Sequence, residues 1–266
     1  MGRTKIYLDR NELFSFYWEK GLSPYKIAPI FNCSFSTVRN RLIDYGIALK
    51  DNSTARQKYR KTDFSGNRLE KAYLLGFRVG DLNVYKTNKN SKVVVVRCHT
   101  TTQEQLDVIN GLFSKYGKVT ISDNNGSYHV NCFLNETFNF MLEKRINLDQ
   151  ISGEEEFYSF FAGYLDAEGY IGLNQGRARL KIDSYDSEVM KWIHQKLDFY
   201  GIRNKTRVIS LCSDKRSFGM ELWRININFL EDLEKLFLRI KKYCLHRKRV
   251  AQIAIAEKNI LARLTK

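Results

Sequence analysis

Two hydrophobic stretches of the chain share one pattern, in which small residues recur every four positions and an acidic residue follows the last of them. AYLLGFRVGDLNV covers residues 72–84, and FFAGYLDAEGYIGL covers residues 160–173. The small residues are Ala72, Gly76 and Gly80 in the first pattern, and Ser159, Gly163 and Ala167 in the second. Residues four apart share one helical face, and small side chains there let two helix backbones approach closely. The pattern therefore predicts two packed helices that end side by side at Asp81 and Glu168.

The same order of elements follows each of these helices, which indicates an internal repeat. Alternating apolar and polar residues predict a hairpin, then a helix, then a second hairpin, and a last helix closes each copy. The closing helices are NETFNFMLEK and LEDLEKLFLRIKK. Landmarks recur in order, such as Tyr116 with Tyr200 and Arg97 with Lys181. Because one copy leaves a sheet face uncovered, we expect two αββαββα copies packed about a pseudo-twofold axis.

The first sixty residues show short helical patterns instead. In LSPYKIAPIF, Ser23 can cap a helix and Pro24 occupies its first turn. A tight NCS turn leads into SFSTVRNRLIDYGI, and two short helices joined by such a turn predict a helix-turn-helix. The exposed face of the second helix would present side chains able to bond DNA base edges or phosphates: Ser36, Arg39 and Asn40. The alternative is a small three-helix bundle that binds protein.

Residues 50–65 are polar, basic and without period, which is typical of a linker. We therefore predict an α+β protein with three parts. These are a helix-turn-helix domain with its linker over 1–61, a first αββαββα half over 62–150, and a second half with a basic C-terminal helix over 151–266.

The formal net charge of +15 indicates a polyanionic partner, nucleic acid before an anionic membrane surface. No apolar run approaches membrane-spanning length, and the start MGRTKIYLDR is not typical of a signal peptide. The five cysteines have no zinc-site spacing and are interpreted as reduced thiols, mostly in the core. We expect an intracellular protein, cytoplasmic or nucleoid-associated, with an organelle left open, and no membrane partner.

Two carboxylates at two helix C-termini repel each other and the partial negative charge of the helix ends unless a cation lies among them. Hard oxygen ligands in a basic protein favour Mg²⁺ as that cation. Beside a phosphodiester, Mg²⁺ can polarise a phosphate oxygen and lower the pKa of an attacking water. Asp81 and Glu168 are therefore the predicted metal-binding and catalytic residues, one for each strand of a DNA duplex.

At these residues the chain resembles the LAGLIDADG homing endonucleases in their single-chain form with two motifs. FAGYLDAEG (161–169) is close to the family pattern, whereas LLGFRVGDL (74–82) departs from it. The first motif has Val79 where an acid is usual, Leu82 in place of the final glycine, and Arg78 inside the helix. The resemblance covers roughly residues 66–266.

The resemblance implies a saddle of two four-stranded sheets over DNA, with further site residues. Gly80 and Ala167 would offer backbone carbonyls to the metal ions. Strand residues would face the major groove: Arg97, Arg177, Arg179 and Lys181. Lys248 is the nearest match to a catalytic lysine near the last helix, although a phosphate contact fits its basic surroundings better.

The function that we expect is metal-dependent cleavage of both strands of a long DNA site of low symmetry, by a monomer acting as a pseudo-dimer. Two alternatives stay open: a catalytically inactive DNA-binding transcription regulator, and an RNA maturase that assists intron splicing. An intein is disfavoured because no nucleophile begins the chain and no His-Asn ends it.

Overall fold

The protein is described from a computed structural model over residues 7–50, 59–143, 145–211 and 220–264. The chain divides into two compact units, one within the residues up to Arg60 and the other from Lys61 onward, apart from the short segment 90–92. Residues 51–58 of the predicted linker, and Cys212, lie outside the described residues.

The regular elements in the described part of the first unit are helical. Its elements are α1 (Arg10–Phe14), a π-helical turn (Ser15–Glu19), α2 (Pro24–Ile27) and α3 (Phe35–Asp44). Pro24 begins α2 as predicted, but Ser23 forms no capping bond with its side chain. Ser34 does cap its helix, because its hydroxyl accepts a hydrogen bond from the Thr37 N–H at the start of α3. The helices enclose a small core that includes Leu13, Tyr17, Ile27, Val38 and Leu42.

The second unit contains the two repeats. The first consists of α4 (Arg68–Gly80), β1 (Asn83–Tyr85), β2 (Val93–Thr100), α5 (Gln103–Phe113), β3 (Lys118–Asn124) and β4 (Ser127–Asn135). The second consists of α6 (Glu154–Glu168), β5 (Gly169–Asn174), β6 (Arg177–Ser184), α7 (Ser187–Phe199), β7 (Lys205–Ser210), β8 (Leu222–Ile227) and α8 (Leu230–Ile240). The basic C-terminal segment forms α9 (Arg247–Leu264). The predicted α+β class is confirmed, as is the αββαββ order of elements shared by the two repeats.

The closing element of the first repeat is not the α-helix that the sequence predicts. Residues Glu136–Met141 form a 3-10 helix, and a second short one covers Leu148–Gln150. The segment ETFNFM contains β-branched, aromatic and amide side chains, which are weaker helix formers than the Leu, Glu and Lys of α8. The two repeats therefore share their sheets and first two helices but close differently.

Each repeat contributes one four-stranded antiparallel sheet, and the two sheets have the same strand order. The first is β1-β2-β4-β3 and the second is β5-β6-β8-β7. Side chains alternate between the two faces of each sheet. One face packs on the core through residues such as Val96, Cys132, Leu180 and Ile225. The opposite face carries the polar and charged positions.

The two helices that bear the small residues pack directly against each other. A Cβ placed on Gly76 would lie 2.0 Å from the carbonyl oxygen of Phe160 and 2.9 Å from the Tyr164 nitrogen. A Cβ placed on Gly163 would lie 2.2 Å from the Tyr73 oxygen and 3.0 Å from the Phe77 nitrogen. At both positions only a glycine fits.

These contacts are reciprocal, which shows the symmetry of the pair. Gly76 touches the residues three before and one after Gly163, and Gly163 touches the residues three before and one after Gly76. Such an exchange of equivalent contacts defines an isologous interface with a twofold axis between the helices. A single hydrophobic core then extends across both repeats.

Candidate active site

The two helices deliver Asp81 and Glu168 to one place. α4 ends at Gly80, and Asp81 is the residue that caps it, while Glu168 is the last residue of α6. A Cβ on Gly80 would lie 2.4 Å from the Ala167 Cβ and 3.1 Å from the Glu168 Cγ. The backbone of one helix end therefore touches the side chains of the other.

Asp81 and Glu168 are exposed residues, yet their carboxyl groups are partly desolvated. Each residue keeps part of its surface in solvent, but neighbouring atoms crowd the rest. Burial raises the pKa of Asp81, an effect that a hydrogen bond from Gln105 and the charge of Arg249 oppose. Burial also raises the pKa of Glu168, and the negative charge of Asp81 raises it further. Burial therefore disfavours the charged form of both acids, and like-charge repulsion adds to this effect at Glu168.

Gln105 orients one of the acids. It is a buried residue of α5, and its Nε2 donates to Asp81 Oδ2 across 2.7 Å. Sequence reasoning missed it because it belongs to another helix, 24 residues away along the chain. The only signal available was a polar residue at an inward position between the apolar residues of that helix.

Arg249 is the basic residue that interacts with both acids. Burial lowers the pKa of its guanidinium, while the negative charges of Asp166, Asp81 and Glu168 raise it. Its Nε donates to the Leu165 carbonyl at 3.1 Å. It lies in the first turn of α9, on the inward face that continues with buried Ile253, Ala256 and Ile260.

The predicted residue Lys248 is exposed, and its catalytic role stays a prediction. The structure places its neighbour Arg249, not Lys248, in electrostatic contact with Asp81 and Glu168. Helical periodicity offered a signal, because Arg249 lies one turn before the apolar face of the helix.

Asp166 holds the backbone of Leu245 and His246, which lead into the first turn of α9 and Arg249. This acid is 1% exposed, and its Oδ2 accepts hydrogen bonds from the Tyr73 hydroxyl at 2.7 Å and the Leu245 N–H at 2.7 Å. The His246 N–H donates to the same oxygen at 3.1 Å. Burial nevertheless raises the pKa of Asp166. The carboxyl group of one motif helix therefore holds the backbone just before α9.

In the first repeat, a basic residue replaces the acidic one near the position equivalent to Asp166. The position of Asp166 is taken by Val79, and the neighbouring Arg78 is buried. Its Nε donates to the Met141 carbonyl at 3.1 Å, and its Nη1 donates to the Leu82 carbonyl. The departures of the first motif from the family pattern thus give an arginine that binds carbonyl groups instead of an acid that binds N–H groups.

The donor set at the helix ends fits a hard divalent cation. Burial raises the pKa of both carboxyl groups, and the charge of Asp81 adds repulsion at Glu168, so a cation beside them would favour the charged forms. The described residues hold no group of three or more His, Cys, Asp or Glu side chains placed for a metal. Asp81 and Glu168 would therefore be the side-chain ligands, with water, phosphate or carbonyl oxygens completing the shell. Ligation by the Gly80 and Ala167 carbonyls stays a prediction.

The outward face of the first sheet is polar with few charges. Arg97 is exposed there, and its guanidinium is held by Asn131 Oδ1 at 3.0 Å and the Tyr85 hydroxyl at 2.8 Å. His99 and His129 form a cross-strand pair beside it, with ring nitrogens 3.2 Å apart. This face offers hydrogen-bonding groups rather than a high charge.

The outward face of the second sheet is strongly basic. The register places the three predicted residues, Arg177, Arg179 and Lys181, on this face of β6. Lys205, Arg207 and Arg224 of the neighbouring strands share the same face, and sequence reasoning missed them. The sequence signal that could have identified them is the alternation of outward and inward positions along the strands KTRVIS and LWRINI. Asp183 is an acid on this face of β6, and its two carboxylate oxygens accept from Arg224 at 2.5 and 2.6 Å.

In the first unit, Ser36, Arg39 and Asn40 lie exposed on α3, opposite buried Val38 and Leu42. Their contact with DNA stays a prediction. Three of the four described cysteines are buried, and all four are free thiols, in agreement with the sequence interpretation.

Comparison with known proteins gives a family match for part of the chain. Solved structures similar to this chain include the homing endonuclease I-DmoI in its mesophilic variants, with 20% identity, 67% of this chain and 98% of that chain covered, and a TM-score of 0.49. Another is full-length DUF199/WhiA from Thermatoga maritima, with 16% identity, 76% and 63% covered, and a TM-score of 0.48. Among curated protein sequences, none gives a significant match.

None of the helices in the described residues is long and apolar enough to cross a bilayer.

The model of the LAGLIDADG-like domain family matches residues 156–241, which run from α6 through α8. Over these residues the second repeat of this chain is therefore similar to the LAGLIDADG-like domain family.

Proposed function

We propose that this protein binds a long DNA site of low symmetry and hydrolyses one phosphodiester bond in each strand. The observation that carries the proposal is the pair of acids, Asp81 and Glu168, brought together by two reciprocally packed helices. The basic outward face of the second sheet supports a polyanionic substrate. The different chemistry of the two sheet faces supports two unlike half-sites, and hence a monomer acting on an asymmetric site.

Each residue of the site would have a separate role in the reaction. Asp81 and Glu168 would hold Mg²⁺, which when bound polarises a phosphate oxygen and lowers the pKa of water. Gln105 keeps the Asp81 carboxylate in one orientation through its 2.7 Å hydrogen bond. Arg249 adds positive charge beside both acids, and this charge would offset the negative charge that develops on the phosphate. Because both acids have raised pKa values, the site should lose cation affinity as the pH falls toward those values.

One observation favours a second candidate, a DNA-binding protein without hydrolysis. Arg249 already supplies a positive charge next to Asp81 and Glu168. A guanidinium in that position can offset two carboxylates in place of a metal ion. In such a protein the site would serve the stability of the helix pair, and DNA binding would not depend on divalent cations.

The two candidates are separated by selection from a random duplex library with the full chain. Cleaved and bound fragments are sequenced after incubation with Mg²⁺, with Ca²⁺ and with EDTA. Hydrolysis predicts cut ends with Mg²⁺ only, and loss of cutting but not of binding in Asp81→Asn and Glu168→Gln. Glu234→Gln, which removes an exposed acid of α8, is the matched control and should cut normally. Selective binding without cut ends under any condition would establish the second candidate, and cleavage by both acid variants would refute the assigned site.

A further inference from the structure

A cavity of about 460 Å³ opens at one end of the outward face of the second sheet. It lies where β6 begins and β8 ends, and the first residues of α8 form one wall. Four basic side chains line it: Arg177, Arg203, Lys205 and Arg263. Asn226 and Asn228 add two amide groups.

Most of this positive charge is not neutralised by the protein. Arg203 bonds to Asp232 at 2.7 Å and to Glu231 at 3.3 Å, so these two acids offset its charge and leave one negative charge in excess on that wall of the cavity. The other three basic residues form no ion pair with the described part of the chain. Converging cations of this kind raise the free energy of the folded protein unless an anion lies between them. The cavity therefore has the composition of an anion site.

The geometry points to a phosphate group as the ligand. Arginine and lysine side chains on several sides match the tetrahedral arrangement of phosphate oxygens, and the amide groups can complete the hydrogen bonds. α8 begins at Leu230, and its N-cap residue Phe229 offers no side-chain acceptor to the first N–H groups. The N–H groups of this turn can donate to an anion, while Glu231 and Asp232 in the same turn offset the positive end of the helix.

We propose that this cavity binds a backbone phosphate of DNA, outside the bases contacted by the strands. The inference rests on the DNA binding proposed above, but not on hydrolysis. Arg177 pairs with Asn174 at the far end of β5, whereas Gly169 at its near end directly follows Glu168. Six strand residues span roughly 20 Å at about 3.3 Å per residue. At about 3.4 Å per base pair, the bound phosphate lies about six base pairs from the cleavage point, on the side of the second repeat.

The first experiment measures the salt dependence of DNA binding with the full chain and a duplex selected from the library. Arg263→Gln and Lys205→Gln should each reduce the slope of log affinity against log salt by about 0.9, the value for one phosphate contact. Lys258→Gln is the matched control, because Lys258 is an exposed residue of the same helix that does not line the cavity. Unchanged slopes in both cavity variants would overturn the inference, while DNA binding itself would stand.

The second experiment replaces single phosphates of the same duplex with uncharged methylphosphonates. One substitution about six base pairs from the centre should weaken wild-type binding about tenfold and should not weaken the binding of Arg263→Gln further. Equal sensitivity of both proteins at every position would contradict the assignment. Titration with inorganic phosphate, followed by NMR, separates the two sources of the ligand. If no duplex binds but inorganic phosphate binds to wild type and not to Arg263→Gln, the cavity is a free-phosphate site and its assignment to DNA is wrong.

Discussion

Gly76→Ala tests the close approach of α4 and α6 on which the candidate active site depends. The new Cβ would lie 2.0 Å from the Phe160 carbonyl oxygen, where ordinary contact begins near 3.4 Å. One helix must therefore retreat by about 1.4 Å. Overpacking of a core costs about 1–3 kcal/mol, and a clash with backbone belongs at or above the upper end. Alanine regains about 1 kcal/mol of helix propensity. The net loss is about 2 kcal/mol, or about 4–8 °C in Tm for a unit of this size.

The matched control is Gly111→Ala in α5, where a Cβ would meet no atom within 4 Å. This variant gains helix propensity without a clash, so its Tm should rise. Thermal unfolding followed by circular dichroism gives both values. If Gly76→Ala is as stable as Gly111→Ala, the helices are not in backbone contact, and the juxtaposition of Asp81 with Glu168 loses its basis. The same retreat would separate the two acids, so Gly76→Ala should also cleave DNA more slowly at a temperature where it is fully folded.

Three further predictions concern the charges and the first unit. Glu168→Gln should raise the Tm at neutral pH without divalent cation. The pKa of Glu168 is raised on folding, so its carboxyl group stabilises the fold only at low pH. That contribution is lost as the pH rises through the folded-state pKa, and the glutamine removes the charge that remains. Ca²⁺ should then stabilise wild type and not the variant, and equal Tm values with and without Ca²⁺ in wild type would argue against a cation site. Arg249→Gln should lower both Tm and cleavage more than Lys248→Gln does, since only Arg249 faces the acids; equal losses would reject this distinction. Residues 1–61 carry a net charge of +7, so their deletion should weaken DNA binding and flatten its salt dependence. Cleavage at saturating protein should persist. Complete loss of cleavage would show that the first unit takes part in hydrolysis.

The packing of the two motif helices was readable from sequence because it depends on local spacing. Residues four apart must share a helical face, so Gly76 and Gly163 identified the contact without any knowledge of tertiary structure. The sheets were predictable for a similar reason, since alternation along a strand is a local property. The 3-10 helix at Glu136–Met141 was not, because the order of the second repeat suggested an α-helix where the first repeat has weaker helix formers.

The surroundings of the acids could not be predicted, because they come from distant parts of the chain. Gln105 reaches Asp81 from α5, and Arg249 reaches the same acid from α9. Each contact depends on how a helix is placed against the motif pair, which local periodicity does not specify. Sequence could indicate that each residue faces inward, but not which group it would meet there.

The two halves of the site are alike in backbone and unlike in electrostatics. Gln105, the third residue of α5, donates a hydrogen bond to Asp81, whereas the third residue of α7 is the apolar Val189 and offers Glu168 no such bond. Glu168 is instead exposed to the negative charge of Asp183 in addition to that of Asp81. The twofold axis thus relates two carboxylates in different electrostatic surroundings, just as it relates a polar sheet face to a basic one. In a single chain the two repeats can carry different residues at equivalent positions, because each repeat has its own sequence. The two copies can therefore diverge in this way while the glycine contacts keep the helix pair fixed.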